Sequence, residues 1–162
     1  MSGYSGAGTK PSPKNDRENL RDNIIAYSLT DHIHEREVSA QLGREVAFVP
    51  HVGEWFQGIH LTISIPLAEQ LTAREIRTTY QERYEGEPLV KVVGEIPSVK
   101  AVSGRHGVEI GGFQVAARRE GEEGGRVVVC ATIDNLLKGA ATQCLQNLNL
   151  TCGYAEFEGI PT

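Results

Sequence analysis

Ile59-His60-Leu61-Thr62-Ile63-Ser64-Ile65 puts an apolar side chain at every second position. Successive side chains of an extended strand point to opposite faces, so Ile59, Leu61, Ile63 and Ile65 share one face and His60, Thr62 and Ser64 the other. The pattern predicts a half-buried strand over 55–67. Close behind it, Thr72-Ala73-Arg74-Glu75 forms a capping box, in which hydroxyl and carboxylate each satisfy an orphan backbone amide at a helix start. Ile76, Tyr80 and Tyr84 follow at four-residue steps and give that helix an apolar stripe, and Gly86 and Pro88 end it.

Downstream, Leu89–Val93 reads as a short strand and 97–104 as a loop. His106–Ala117 alternates through Val108, Ile110, Phe113 and Val115, with Gly111-Gly112 marking a bulge. Residues 118–125 are charged and glycine-rich, the composition of a hairpin tip. Val127-Val128-Val129 predicts a buried strand over 126–131. Ile133, Leu136, Leu137, Ala140, Ala141, Cys144, Leu145 and Leu148 predict one long helix to about Leu150, with Thr132 as its cap.

Upstream, residues 1–22 are polar and loop-like, with one helical turn over 16–21. Asn23–Leu29 predicts a strand, Asp31 caps a helix over 34–42 that stops at Gly43, and 45–52 predicts a strand interrupted by Pro50. Strands outnumber helices and short links join several, which requires antiparallel neighbours. The expected class is α+β: one domain over 1–162, a mixed, largely antiparallel sheet with helices on one face. The apolar strands at 59–65 and 127–129 need cover on the other face too, which points to a partner subunit.

Composition narrows the function. The chain has 162 residues and a net charge of −5 with acids and bases interspersed, which argues against nucleic acid as a partner. No apolar run approaches the roughly 20 residues of a membrane span, and no signal peptide is visible. Cys130, Cys144 and Cys152 are odd in number and fit no zinc spacing, so three reduced, mostly buried thiols are expected.

Four segments carry candidate chemistry. Ser5-Gly6-Ala7-Gly8, followed by Lys10, is a loop whose backbone amides can approach an anion, though a plain terminal loop has the same composition. Asp31-His32-Ile33-His34-Glu35-Arg36-Glu37 pairs two histidines. They read as helix-capping residues in a solvated turn, as a proton shuttle, or as half of a metal site whose other ligands the sequence does not place. Lys100, Arg105 and His106 can form an anion cradle or an exposed hairpin. Asn135, near a helix start, can offer its amide to a ligand or simply belong to an amphipathic helix.

In this order, Ser5–Gly8, Ala26-Tyr27, His32-Ile33-His34, Ala131-Thr132-Ile133-Asp134-Asn135-Leu136-Leu137-Lys138-Gly139 and Asn147-Leu148-Asn149-Leu150 resemble the C-terminal part of the N-acetyl-gamma-glutamyl-phosphate reductase family. Pro50-His51-Val52, Trp55 and Gly58 are most similar to the fungal form, which is made in a mitochondrial precursor with acetylglutamate kinase. The resemblance implies the fold of the second domain of glyceraldehyde-3-phosphate and aspartate-semialdehyde dehydrogenases. It implies an enzyme of arginine biosynthesis that reduces N-acetylglutamyl 5-phosphate to the semialdehyde with NADPH, so the implied cofactor is NADP. A cysteine thiolate attacks the acyl phosphate, and a histidine serves as general acid/base.

Carried across by position, His32 matches that histidine, and Tyr27 and His34 match substrate-contacting positions. Lys100 and Arg105 match only a loosely kept segment for the substrate anion. Ser5, Gly6, Ala7, Gly8 and Asn135 match positions that touch the cofactor. Glu35-Arg36-Glu37 stands where many bacterial relatives have Thr-Pro-Glu. The family's nucleophile sits in a Pro-Gly-Cys context that none of the three cysteines shares, and its nucleotide-binding Gly-x-Gly-x-x-Gly is missing. Met1 stands directly before the glycine loop, as expected of a segment cut from a longer chain. The resemblance therefore implies a fragment inactive alone, partnered by the missing nucleotide-binding domain, by further copies of itself, and in fungi by acetylglutamate kinase. It places the protein in the mitochondrial matrix if fungal and in the cytoplasm otherwise. The alternative is a non-catalytic interaction and oligomerisation module.

Overall fold

The computed structural model describes residues 1–116 and 124–162; most of the hairpin tip expected over 118–125 lies outside them. The chain divides into two compact units, Met1–Gln57 and Gly58–Thr162.

The first unit begins with β1 (Ser2–Gly3) and a single 3-10 turn (Tyr4–Ala7). Then come α1 (Arg17–Leu20), β2 (Ile24–Ala26), α2 (Ile33–Leu42) and β3 (His51–Gly53). β3 is central, parallel to β1 and antiparallel to β2. The fully buried Leu20 and Val52 anchor the unit. α1 is capped by Asp16, whose side chain accepts from the Glu18 amide. The strand expected over 45–52 shrinks to three residues because Pro50 has no N–H to donate. Its carbonyl accepts from Tyr27 instead. α2 ends at Gly43, which adopts the left-handed conformation (φ 63°). It starts one residue earlier than expected, with His32 as the cap in place of Asp31.

The second unit holds β4 (Ile59–Pro66), α3 (Ala73–Arg83), β5 (Val90–Val92), α4 (Val99–Val102), β6 (Val108–Ala116) and β7 (Arg126–Ile133). A π-turn (Leu137–Ala141) and α5 (Thr142–Cys152) follow. β7 pairs antiparallel with β4 on one side and β6 on the other, and β5 runs parallel to β6. This is the mixed, largely antiparallel sheet that the alternation implied. In β4 the odd positions are half-buried while Thr62 and Ser64 are exposed. The capping box forms at Thr72 and Glu75, and Ile76 and Tyr80 of α3 lie on Ile110, Phe113, Val127 and Val129. Ile110 and Phe113 are three apart, which would put them on opposite faces of a regular strand. The register break between Gly111 and Gln114, with Gly112 at φ 68°, turns both into the core.

Three expectations for this unit need correction. The loop over 97–104 contains the short helix α4, capped by the Ser98 side chain. The long helix over 133–150 is broken into a π-turn and α5. Thr132 caps nothing: it belongs to β7, opposite His60 and Glu109, and the capping carboxylate is that of Asp134. A register pinned on both sides of β7 overrides the sequence's local helix-start signal. Cys130 is buried, but Cys144 and Cys152 are exposed, contrary to the expectation of mostly buried thiols; all three are free.

Among the described residues, Thr132 Oγ1 is a fully buried hydroxyl without a hydrogen-bond partner. Burying an unpaired hydroxyl costs free energy that an isosteric methyl does not. Thr132→Val is therefore expected to stabilise the chain by about 1 kcal/mol, read as a higher denaturation midpoint in urea. A lower midpoint would show that the hydroxyl is bonded.

Candidate functional site

The first unit brings five of the singled-out residues to one pocket of about 270 Å³: Gly6, Ala7 and Tyr27, with His32 and His34 beside them. Local sequence explains how. Residues 28–32 carry the chain from β2 to α2, and both Ser28 (φ 45°) and Asp31 (φ 60°) sit in the left-handed region that non-glycine residues rarely adopt. Glu35, in the first turn of α2, holds that loop. One carboxylate oxygen accepts from the Asp31 amide at 3.2 Å and the other from the Phe48 amide at 2.7 Å. Glu35 thus fills the place where the departure from Thr-Pro-Glu had left the backbone undetermined. A glutamate in the first helical turn is the available sequence signal for it.

The His32 ring is fixed from several sides. Its Nδ1 accepts from the His34 backbone N–H at 3.2 Å, so the imidazole itself caps α2. In the neutral ring one nitrogen accepts and the other carries the proton. With Nδ1 accepting, the proton sits on Nε2. The ring packs edge-on against Tyr27 (centroids 5.8 Å apart) and His34 (4.9 Å), and against Phe48 at 5.3 Å. Lys14, which the sequence reading missed, lines the same pocket with its ammonium 4.5 Å from the Tyr27 ring centroid. The His32 pKa is pushed below the ordinary histidine value, first by partial burial, then by the positive charges of His34 and Lys14, against the opposing pull of Glu35 and Glu37. The site therefore favours a neutral imidazole with a defined tautomer, which can take a proton on Nδ1 only by giving up its cap.

The glycine loop is built around Asn15, another residue the sequence reading passed over. Its amide donates to the carbonyls of Gly8 and Lys10, at 2.8 and 2.9 Å. The Ser5 amide donates to the Phe56 carbonyl and the Gly8 amide to Ser5, so these two N–H groups are already engaged, and Gly6 and Ala7 are the pocket-lining members.

The remaining candidates belong to the second unit. Asn135 Oδ1 accepts from the Gly58 amide at 2.6 Å. Lys100 lies exposed on α4. Arg105 lines a cleft of about 510 Å³ with Lys91, His106 and Glu109 over Leu89 and Val102. His106 Nδ1 lies 2.8 Å from Thr142 Oγ1, and Lys91 pairs with Glu109 at 3.7 Å. Among the described residues no group of three or more His, Cys, Asp or Glu side chains assembles that could hold a metal.

Comparison with known proteins gives a consistent picture. Residues 1–135 match the family model described as semialdehyde dehydrogenase, dimerisation domain. The whole chain is 72% identical to "Protein arg-6, mitochondrial" of Neurospora crassa, of which it covers 18%. It is 54% identical over 160 residues to an N-acetyl-gamma-glutamyl-phosphate reductase of Xanthomonas campestris, covering 99% of this chain and 49% of that one. The chain thus spans about half of the bacterial relative and less than a fifth of the fungal one. Among solved structures, aspartate semialdehyde dehydrogenase II from Vibrio cholerae superposes with a TM-score of 0.68 at 15% identity, over 94% of this chain and 53% of that one, a likeness of fold.

A histidine whose folded pKa lies below its unfolded value binds fewer protons when folded. Its contribution to stability is complete above the unfolded value and is lost as pH falls through that value toward the folded one. His32 is expected to titrate below about 6.5, the unperturbed value, when followed by the ring-proton NMR shift. Lys14→Met should move the midpoint upward; an unchanged midpoint would remove Lys14 from the electrostatics of the pocket.

Proposed function

Because the chain belongs to the semialdehyde dehydrogenase dimerisation-domain family, we propose that it is the substrate-binding and subunit-pairing part of a reductase that converts N-acetylglutamyl 5-phosphate to the semialdehyde with NADPH, in arginine biosynthesis. The observation that carries this reading is the His32 imidazole, held by its Nδ1 cap in a pocket with Tyr27, His34, Gly6 and Ala7. Identity of 54% over 99% of the chain to a protein named N-acetyl-gamma-glutamyl-phosphate reductase supports the same substrate class. We take both compact units as parts of one domain, completed by a nucleotide-binding domain elsewhere in the full-length protein.

His32 is the proposed acid/base group. With the proton on Nε2, the neutral ring can donate a hydrogen bond to an oxygen that gains negative charge, while the capped nitrogen holds its orientation. The lowered pKa favours the neutral ring; to take the proton of an attacking thiol, Nδ1 must give up its bond to the His34 amide, and the imidazolium so formed is the acid that returns a proton to the oxygen. Tyr27 and His34 are proposed to bound the substrate beside the ring, with Lys100 and Arg105 as contacts for its negative groups. Lys14 adds positive charge to the same pocket.

NADPH, when bound, supplies the hydride. Gly6 offers a pocket wall without a side chain and Asn135 a carboxamide oriented by Gly58, whereas no Gly-x-Gly-x-x-Gly turn for the dinucleotide phosphates occurs in the sequence. Ser5 and Gly8 shape the turn that presents Gly6 and Ala7. The family description supports pairing with a second copy. The printed names of the fungal relatives support a mitochondrial location; acetylglutamate kinase as a neighbour is proposed on the resemblance to the fungal precursor alone.

Two outcomes test this reading. The 162-residue chain alone should show no NADPH-dependent turnover of the acyl phosphate while forming dimers or larger assemblies in sedimentation. In the full-length protein, His32→Asn should lower kcat by roughly 10²–10⁴-fold, the usual contribution of a positioned acid/base group. Full activity in that variant would remove His32 from the chemistry.

A further inference from the structure

Asp134 is fully buried, and its carboxylate joins two segments thirty residues apart. One oxygen accepts from the amides of Leu136 and Leu137, at 2.8 and 3.0 Å. The other accepts from the Gly104 amide at 2.7 Å. A buried carboxylate is tolerated when several N–H donors converge on it, and such charge-assisted bonds are the stronger kind. The Asp134 backbone carbonyl is engaged as well. It accepts from the Gly139 amide at 2.9 Å, and the Leu136 carbonyl accepts from Ala141 at 3.0 Å. Both are five-residue steps that wind the π-turn rather than an α-turn, and π-turns recur at functional positions.

The neighbours of this carboxylate matter most. Asn135 follows directly in the chain, and its Oδ1 takes the Gly58 amide. Arg105 follows Gly104, in a turn closed by the Arg105 amide on the Val102 carbonyl at 2.9 Å, with Val102 itself buried. One side chain therefore fixes the backbone beside both Arg105 and Asn135. We propose that Asp134 is a positioning residue that sets the Arg105 turn and the Asn135 carboxamide as a single rigid piece, so that the contact for the substrate anion and the contact for the dinucleotide are aligned together. This rests on the roles given to Arg105 and Asn135 under the proposed function.

The test uses the full-length protein. Asp134→Asn keeps an oxygen for Leu136 and Leu137 but turns an N–H donor toward the Gly104 amide. Asp134→Ser keeps a helix-capping hydroxyl and is too short to reach Gly104. In both, KM for the acyl phosphate and KM for NADPH should rise together by roughly tenfold, the effect of losing one charge-assisted or polar binding contact, with kcat changed far less because binding rather than the chemical step is disturbed. Arg105→Ala should raise only the first KM and Asn135→Ala only the second. A folded Asp134 variant with a lower melting point but both KM values unchanged would make Asp134 merely structural and overturn the proposal, as would a rise in one KM alone. If neither variant folds, amide exchange in the wild-type protein decides. Gly104 should open at the same rate as Leu136 and Leu137, and independent, faster exchange at Gly104 overturns the linkage. If the unmodified full-length protein does not reduce the acyl phosphate at all, the proposed function fails, and the exchange comparison still judges whether Asp134 binds the two segments into one piece.

Discussion

A ring nitrogen can accept a hydrogen bond or carry a proton, and α2 starts on one that accepts. His34's amide is an orphan donor at the helix N-terminus, and His32 Nδ1 satisfies it. The cap fixes the tautomer, the tautomer fixes which nitrogen carries the proton, and the pocket of Gly6, Ala7, Tyr27 and His34 acquires a defined donor. Protonating Nδ1 would break the cap, so helix formation and ring chemistry draw on the same bond. Lys14 and His34 bias the ring in the same direction electrostatically.

The second unit solves a similar problem with a carboxylate. β7 is held in register by β4 and β6, and its last residue, Ile133, delivers Asp134 directly to the start of the π-turn. A helix start needs an acceptor, and the Ser103–Arg105 turn needs another for Gly104; the two oxygens of one aspartate serve both. In both units, a side chain that could have been left to solvent is spent on ordering backbone next to residues with proposed roles.

Much of this was legible in the sequence. The alternation in Ile59–Ile65, the Thr72–Glu75 capping box and the Gly111-Gly112 bulge each have a local cause, and the structure holds them where the residues indicated. What local reading missed depended on partners distant in sequence. Thr132 has the chemistry of a cap, but two flanking strands claim it for β7. Lys14 and Asn15 looked like loop filler, because nothing nearby announces that one faces Tyr27 and the other gathers the carbonyls of Gly8 and Lys10. The grouping of Tyr27, His32 and His34 was foreseen from the family's pattern, whereas the way His32 is held was not, since capping by an imidazole leaves no special signature beyond the histidine itself.

Ser28 and Asp31 hold left-handed conformations that cost L-residues about 1–2 kcal/mol each. Glycine at either position would relieve that cost in the folded state, but it would also enlarge the set of conformations open to the unfolded chain. The two effects oppose each other, so the sequence gains little stability from glycine and would lose stiffness between Tyr27 and His32. A polypeptide that keeps serine and aspartate there accepts local strain in exchange for a narrower ensemble, and the spacing of the two rings becomes a property of chain entropy as much as of packing.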